Sequence, residues 1–225
     1  MARRLPGAGT IGCDTGDMIV VHRFFRKVFG DARRLVDGVA DGDGERARAV
    51  GRFTREIAGS LHAHHQGEDQ MLWDRLSERA PGCAAHVERM RAQHAAMAER
   101  LDALDEVIPA WEASAAASDR ARVRMALDEV LAVLAVHLGD EEASILPVAG
   151  PVFTQKEWDQ LGAHARSRIP VSRLLIQLGM ILDSFPADER EEWFTTTFPA
   201  PVRVLYSVLG RPRYEAEMRT VYGKR

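Results

Sequence analysis

Residues 61–73 read LHAHHQGEDQMLW, three histidines and two acidic residues within one short stretch. Phe53, Ile57, Leu61, Met71 and Leu72 recur around it at helical spacing and define one inward face. At ~100° per residue, His64 and Glu68 fall within about 40° of the centre of that face. His65 lies near its edge and His62 points away. A histidine and a glutamate four residues apart stack on one side of a helix, where they can reach one metal ion or span two.

The same spacing of three and four recurs on both sides of this helix. Met18, His22, Phe25 and Phe29 form one face of a first helix. Val87, Met90, His94, Met97, Leu101, Leu104 and Ile108 form an unbroken seam of a third, with His94 where a leucine is expected. Val123, Leu127, Val130, Leu134, His137, Glu141 and Ile145 form the seam of a fourth. A buried glutamate costs several kcal/mol unless it is paired, protonated or bound to a metal, so Glu141 needs a partner. At ~1.5 Å rise per residue, His22 lies ~10 Å from the start of its helix and His94 ~16 Å from the start of the third. Glu68 and His64 lie ~16 and ~22 Å from the end of the second helix, Glu141 and His137 ~10 and ~16 Å from the end of the fourth. In an up-down bundle these helix ends share one pole, so the six residues converge in one layer.

No β-like alternation is sustained, so the expected class is all-α: an antiparallel up-down four-helix bundle with a C-terminal extension of short helices. The first helix is expected from an N-cap at Thr15 to Gly38, and Asp41-Gly-Asp-Gly44 supplies a turn. The second is expected over Glu45–Arg79, closed by Pro81-Gly82. The third is expected over Cys83–Ala113, with Pro109 kinking or ending it, and the fourth from a cap at Asp119 to just before Pro147. Residues 14–148 then make the bundle domain. Residues 149–225, opening on a capping box at Thr154-Gln-Lys-Glu157, make a helical extension too apolar to be disordered and too small to stand alone.

The net charge of −3 gives no basic field to draw the chain to nucleic acid or acidic lipid, so neither nucleic acid nor membrane is expected as a partner. Cys13 and Cys83 stand far apart with no Cys-x-x-Cys spacing, which disfavours a disulfide framework, a zinc ribbon or a redox dithiol. Arg3 and Arg4 are followed by Pro6-Gly7-Ala8-Gly9 instead of the apolar core of a signal peptide, and a cytoplasmic location is expected.

His22, His64, Glu68, His94, His137 and Glu141 are more ligands than a tetrahedral zinc ion requires, and imidazole with carboxylate suits a pair of irons. His22, then His64-x-x-x-Glu68, then His94, then His137-x-x-x-Glu141 resembles the histidine/glutamate signature of hemerythrin-like domains over residues 14–148. The strings around His64–Trp73 and His137–Glu142 strengthen the resemblance. The tail, with Arg203-Val-Leu-Tyr206 and Gly210-Arg-Pro-Arg-Tyr214, is similar to the C-terminal extension of actinobacterial members. The resemblance implies two irons held by the six residues, with Glu68 and Glu141 bridging alongside an oxo or hydroxo group. His62, His65, Asp69 and Glu142 are expected as hydrogen-bonding neighbours of the ligands or as an extra ligand. His86 is expected to be structural, His164 to lie on the surface, and Trp73, Met90 and Met97 to be core packing.

Oxygen-carrying hemerythrins place two histidines four apart on the third helix and an aspartate five after the last histidine. Here the residues four before and after His94 are Met90 and Ala98, and the carboxylate four after His137 is Glu141. One histidine fewer leaves a more open metal, which favours reaction with O2, peroxide or NO over reversible carriage. The expected function is therefore a non-heme diiron protein that handles these small ligands, either as a peroxide-decomposing or O2-activating oxidoreductase or as a stress sensor. The competing readings are a mononuclear zinc bundle enzyme of the DinB-like thiol transferase type, and an interaction module whose iron is structural or sensory.

Overall fold

The computed structural model describes residues 11–223. The Arg3, Arg4 and Pro6–Gly9 stretch lies outside the described residues. Helix α1 (Gly16–Asp37) follows Thr15, but the threonine side chain caps nothing. Asp14 Oδ1 instead accepts from the Gly16 amide at 2.9 Å. Helix α2 (Gly44–Met71) is capped by Asp43, whose carboxylate accepts from the Arg46 amide at 3.0 Å. The expected single helix over 45–79 is interrupted at Leu72 and resumes as α3 (Trp73–Arg79). The interruption is a bend only, because Leu72 N–H still reaches Glu68 and Leu76 N–H reaches Leu72.

A 3-10 turn over Pro81–Cys83 leads into α4 (Ala84–Ser114). Pro109 lies inside α4 on its solvent side without ending it, and the helix stops at Ala115, which adopts a left-handed conformation at φ 50°. Helix α5 (Ala117–Ser144) starts two residues before Asp119. Asp119 therefore does not cap it; Asp41 Oδ1 takes the Ala117 amide at 2.6 Å instead. After Ile145 the chain continues as α6 (Leu146–Val152), which carries Pro147 near its start, where no intrahelical N–H bond is lost.

Helices α1, α2, α4 and α5 form the bundle, α2 lying between α1 and α4, and α5 between α4 and α1. The extension comprises α7 (Gln155–Ser167), α8 (Val171–Asp183), α9 (Ala187–Thr197), α10 (Ala200–Leu205), a π-helical turn over Tyr206–Gly210, and α11 (Arg211–Tyr222). The capping box at Thr154 forms in full, with Thr154 and Glu157 satisfying each other's backbone N–H groups.

This extension lies on the bundle. Helix α7 packs on α2, α8 on α1, and α11 on both α2 and α8. Ile176, Met180 and Val221 join the main apolar core. Arg173 of α8 ion-pairs with Glu56 of α2 and Glu217 of α11. Tyr222 donates to Oδ2 of Asp31, a buried carboxylate on α1 that Lys27 and Arg34 also contact. Removing that hydroxyl takes one donor from a buried carboxylate. Tyr222→Phe is therefore expected to cost about 1–2 kcal/mol and to lower the melting temperature by roughly 2–8 °C, measurable by calorimetry.

Candidate metal centre

The core is split by a polar layer. On one side Phe25, Ile57, Leu61, Met97, Leu134 and Leu138 belong to the main apolar cluster; on the other, Met18, Leu72, Trp73, Met90 and Ile145 belong to a second. Each bundle helix crosses from one cluster to the other at its histidine: Phe25 to Met18 around His22, Leu61 to Leu72 around His64 and Glu68, Met97 to Met90 around His94, and Leu134 to Ile145 around His137 and Glu141. The apolar seam thus continues above and below, and only this layer is built of imidazoles and carboxylates.

His22, His137 and Glu141 are fully buried, and His64, His94 and Glu68 nearly so. Glu141 Oε2 lies 3.3 Å from His22 Nε2 and 3.6 Å from His137 Nε2. Glu68 Oε1 lies 3.3 Å from His64 Nε2, while its Oε2 lies 3.4 Å from His94 Nε2. His65 is also inside the layer: its ring stacks on His94 at 4.2 Å and meets His137 edge-on at 4.8 Å. Its neighbour His64 turns instead towards α1, against Phe25 and His22.

None of these facing groups is satisfied within the protein. The Nε2 atoms of His22, His64, His65, His94 and His137, and all four oxygens of Glu68 and Glu141, are buried without a hydrogen-bond partner. Buried polar atoms are ordinarily hydrogen-bonded, and so many orphaned in one place is far above the few a native fold carries. Their shared orientation is that of a ligand set around a cation. Donor atoms of His65, Glu68, His94 and His137 all lie within 4.8 Å of one another.

Residues 15–149 match the family model of the hemerythrin HHE cation-binding domain. The chain belongs to that family. No curated protein and no solved structure matches it.

In this hemerythrin-family bundle the far nitrogens of three histidines are fixed by neighbouring side chains. His22 Nδ1 lies 2.8 Å from Glu142 Oε1, which Arg26 also holds. His94 Nδ1 lies 2.7 Å from Asp69 Oδ1, which accepts from Trp73 Nε1 as well. His137 Nδ1 lies 3.2 Å from Gln93 Oε1, whose amide nitrogen donates to Asp140. An acceptor at Nδ1 keeps the proton there and leaves the Nε2 lone pair facing the cation site.

The electrostatics of the hemerythrin layer are strained in both directions. Burial pushes Glu68 up to about 7, and the charge of Glu141 adds to the push. Burial would also raise Glu141, but His22 more than offsets it and holds the carboxyl down at about 2. Burial lowers His22 and His94, yet their carboxylate partners bring both up to about 9. His64 falls to about 3 and His137 to about 4, first because they are buried and then because charged imidazoles stand beside them. His65 is lowered for the same reasons, with His94 the main neighbour. Bound metal would take the place of these protons and supply positive charge to both carboxylates.

The remaining sequence candidates separate clearly. His62 is exposed and outside the layer. His86 touches Arg89 on the surface of α4, away from the site. Trp73, Met90 and Met97 are fully buried packing. His164, expected on the surface, is half-buried: a Cβ at Gly67 would come within 3.3 Å of its ring, and its Nε2 is shielded without a partner. Gln93 carries no signal in the sequence. It lies beside His94, one residue off the seam, and no pattern of spacing marks it.

Proposed function

We propose that the protein holds two iron ions in this layer and uses them to bind or react with O2, hydrogen peroxide or NO. The observation that carries the reading is the spread of the donors. Glu68 presents one oxygen to His64 and the other to His94, so a single carboxylate faces two groups of imidazoles at once. Five imidazole nitrogens and four carboxylate oxygens are orphaned together. That exceeds the four ligands of a structural zinc and the six of an octahedral ion. The ligands we assign are His22, His64, Glu68, His94, His137 and Glu141, with His65 as a further one.

Iron among imidazoles and carboxylates supplies redox chemistry towards small oxygen and nitrogen ligands. The chain's own contribution is to hold and orient. Glu142, Asp69 and Gln93 fix the imidazoles, and the apolar layers of Phe25, Leu61 and Met97 on one side and Met90 and Leu72 on the other keep water away. His65 also alters the comparison with oxygen carriers. It brings a fifth imidazole into the layer from α2 instead of α4, so the number of histidines no longer separates this site from a carrier. The separation must come from reactivity. Hydrogen peroxide, O2 and NO added in turn to the iron-loaded protein are expected to change its visible absorption, with turnover of peroxide distinguishing reaction from carriage. No spectral response to any of the three would contradict the proposal.

A further inference from the structure

The chain as a whole is acidic, yet residues 193–214 contain no carboxylate side chain and carry Arg203, Arg211 and Arg213. The same stretch exposes an unusual amount of apolar surface. Val204 is 62% exposed, Leu205 47%, Val208 65% and Leu209 43%. Val204 and Val208, like Leu205 and Leu209, are four residues apart and follow one another along the outside of α10 and the π-helical turn. The opposite side is already committed to the fold. Tyr206 and Gly210 are buried, and a Cβ at Gly210 would stand only 3.0 Å from Leu175 of α8. The segment therefore cannot roll to hide its outer face. Val171, one turn before Leu175 on α8, is 84% exposed.

Arginines border this ridge. Arg203 adjoins Val204 and hydrogen-bonds the Thr195 carbonyl at 3.1 Å. Arg211 lies three residues beyond Val208 and pairs with Glu215 at 2.8 Å, and Arg213 lies four beyond Leu209 in an exposed position. A second copy seated on the same face would bring these like charges together, which disfavours self-association. An exposed apolar ridge with a cationic border suits a deformable anionic plane, into which aliphatic side chains dip while arginines meet headgroup phosphates. Among the described residues no helix is long and apolar enough to cross a membrane, so the contact would be peripheral. We infer that residues 200–213 dock the protein on an anionic lipid surface. The net charge of the chain conceals this end, where Glu215 pairs with Arg211 but Arg203 and Arg213 have no carboxylate within residues 193–214.

The test is co-sedimentation of the full iron-loaded chain with vesicles of phosphatidylcholine, with and without phosphatidylglycerol. Binding is expected only with phosphatidylglycerol, and is expected to weaken as salt shortens the screening length. Leu205→Glu with Leu209→Glu should abolish it. Arg211→Gln and Arg213→Gln should each weaken it roughly fivefold, while Val136→Glu on the exposed side of α5 should leave it unchanged. Thermal melts check that each variant folds, and Leu209→Ser serves if the double glutamate variant does not. Absence of binding to anionic vesicles, equal binding by the folded leucine variants, or a dimer that those variants disperse would each overturn the inference.

Discussion

Glu141→Ala is expected to fold and to lose most of its iron, with apparent affinity reduced by more than about 100-fold, since substitutions one shell further out already cost 10–100-fold. Glu141 is completely buried on α5, and its Oε2 faces His22 and His137 together. Removing it withdraws donor atoms from both and leaves Glu68 as the remaining carboxylate in the layer. The metal-free variant has two opposing changes. His22 loses its closest buried partner, and breaking such a pair ordinarily costs roughly 3–5 kcal/mol. Glu142 still holds His22 Nδ1, and Glu68 no longer has a like charge beside it, so the net loss should fall below that range. Glu142→Gln is the matched control: it disturbs orientation without removing a donor, and should weaken iron by about 10–100-fold only. Iron per chain after chelator competition measures both variants. Retention of the full complement by Glu141→Ala would refute its assignment as a ligand.

Removing the metal should produce the second large effect. In the layer between the two apolar clusters, five imidazole nitrogens and four carboxylate oxygens are buried without a hydrogen bond, and Glu68 and Glu141 are like charges side by side. Free energy of binding to the native state adds directly to stability, roughly 4 kcal/mol when the ion is at 1,000 times its dissociation constant. For a chain of this size that corresponds to about 8–16 °C of melting temperature. The loss should be concentrated around the layer. Amide exchange should rise most in α2 near His64 to Glu68 and in α5 near His137 to Glu141, and least among Leu104, Ile108 and Trp111 in the far apolar cluster. A metal-free protein that melted with the loaded one would show that the layer is stable without a cation.

The four seams and the six convergent residues were legible because each lies at the centre of a face marked by aliphatic neighbours three and four residues away. His65 was placed at the edge of a face, and the reason is specific to α2. That helix packs against α1 on one side and α4 on the other, so its buried arc is wider than one seam, and consecutive histidines divide between the two neighbours. His64 meets His22 of α1 and His65 meets His94 of α4. Spacing along one helix does not report which pair of helices flank it. The same limit hid Gln93, whose role depends on the approach of α5, and misplaced His164, which is covered because Gly67 lets α7 come close. The cap at Thr154 was legible because the threonine and its glutamate three residues on satisfy each other, whereas the start at Ala117 was not, because Asp41 from a distant segment takes its amide.

The layer of imidazoles and carboxylates at one depth of the bundle is proposed to hold a pair of irons. Metal quantitation on the protein as purified, combined with its visible spectrum, tests it most directly. Two irons per chain with an iron charge-transfer band are expected. One zinc per chain, or a stable protein containing no metal, would contradict it.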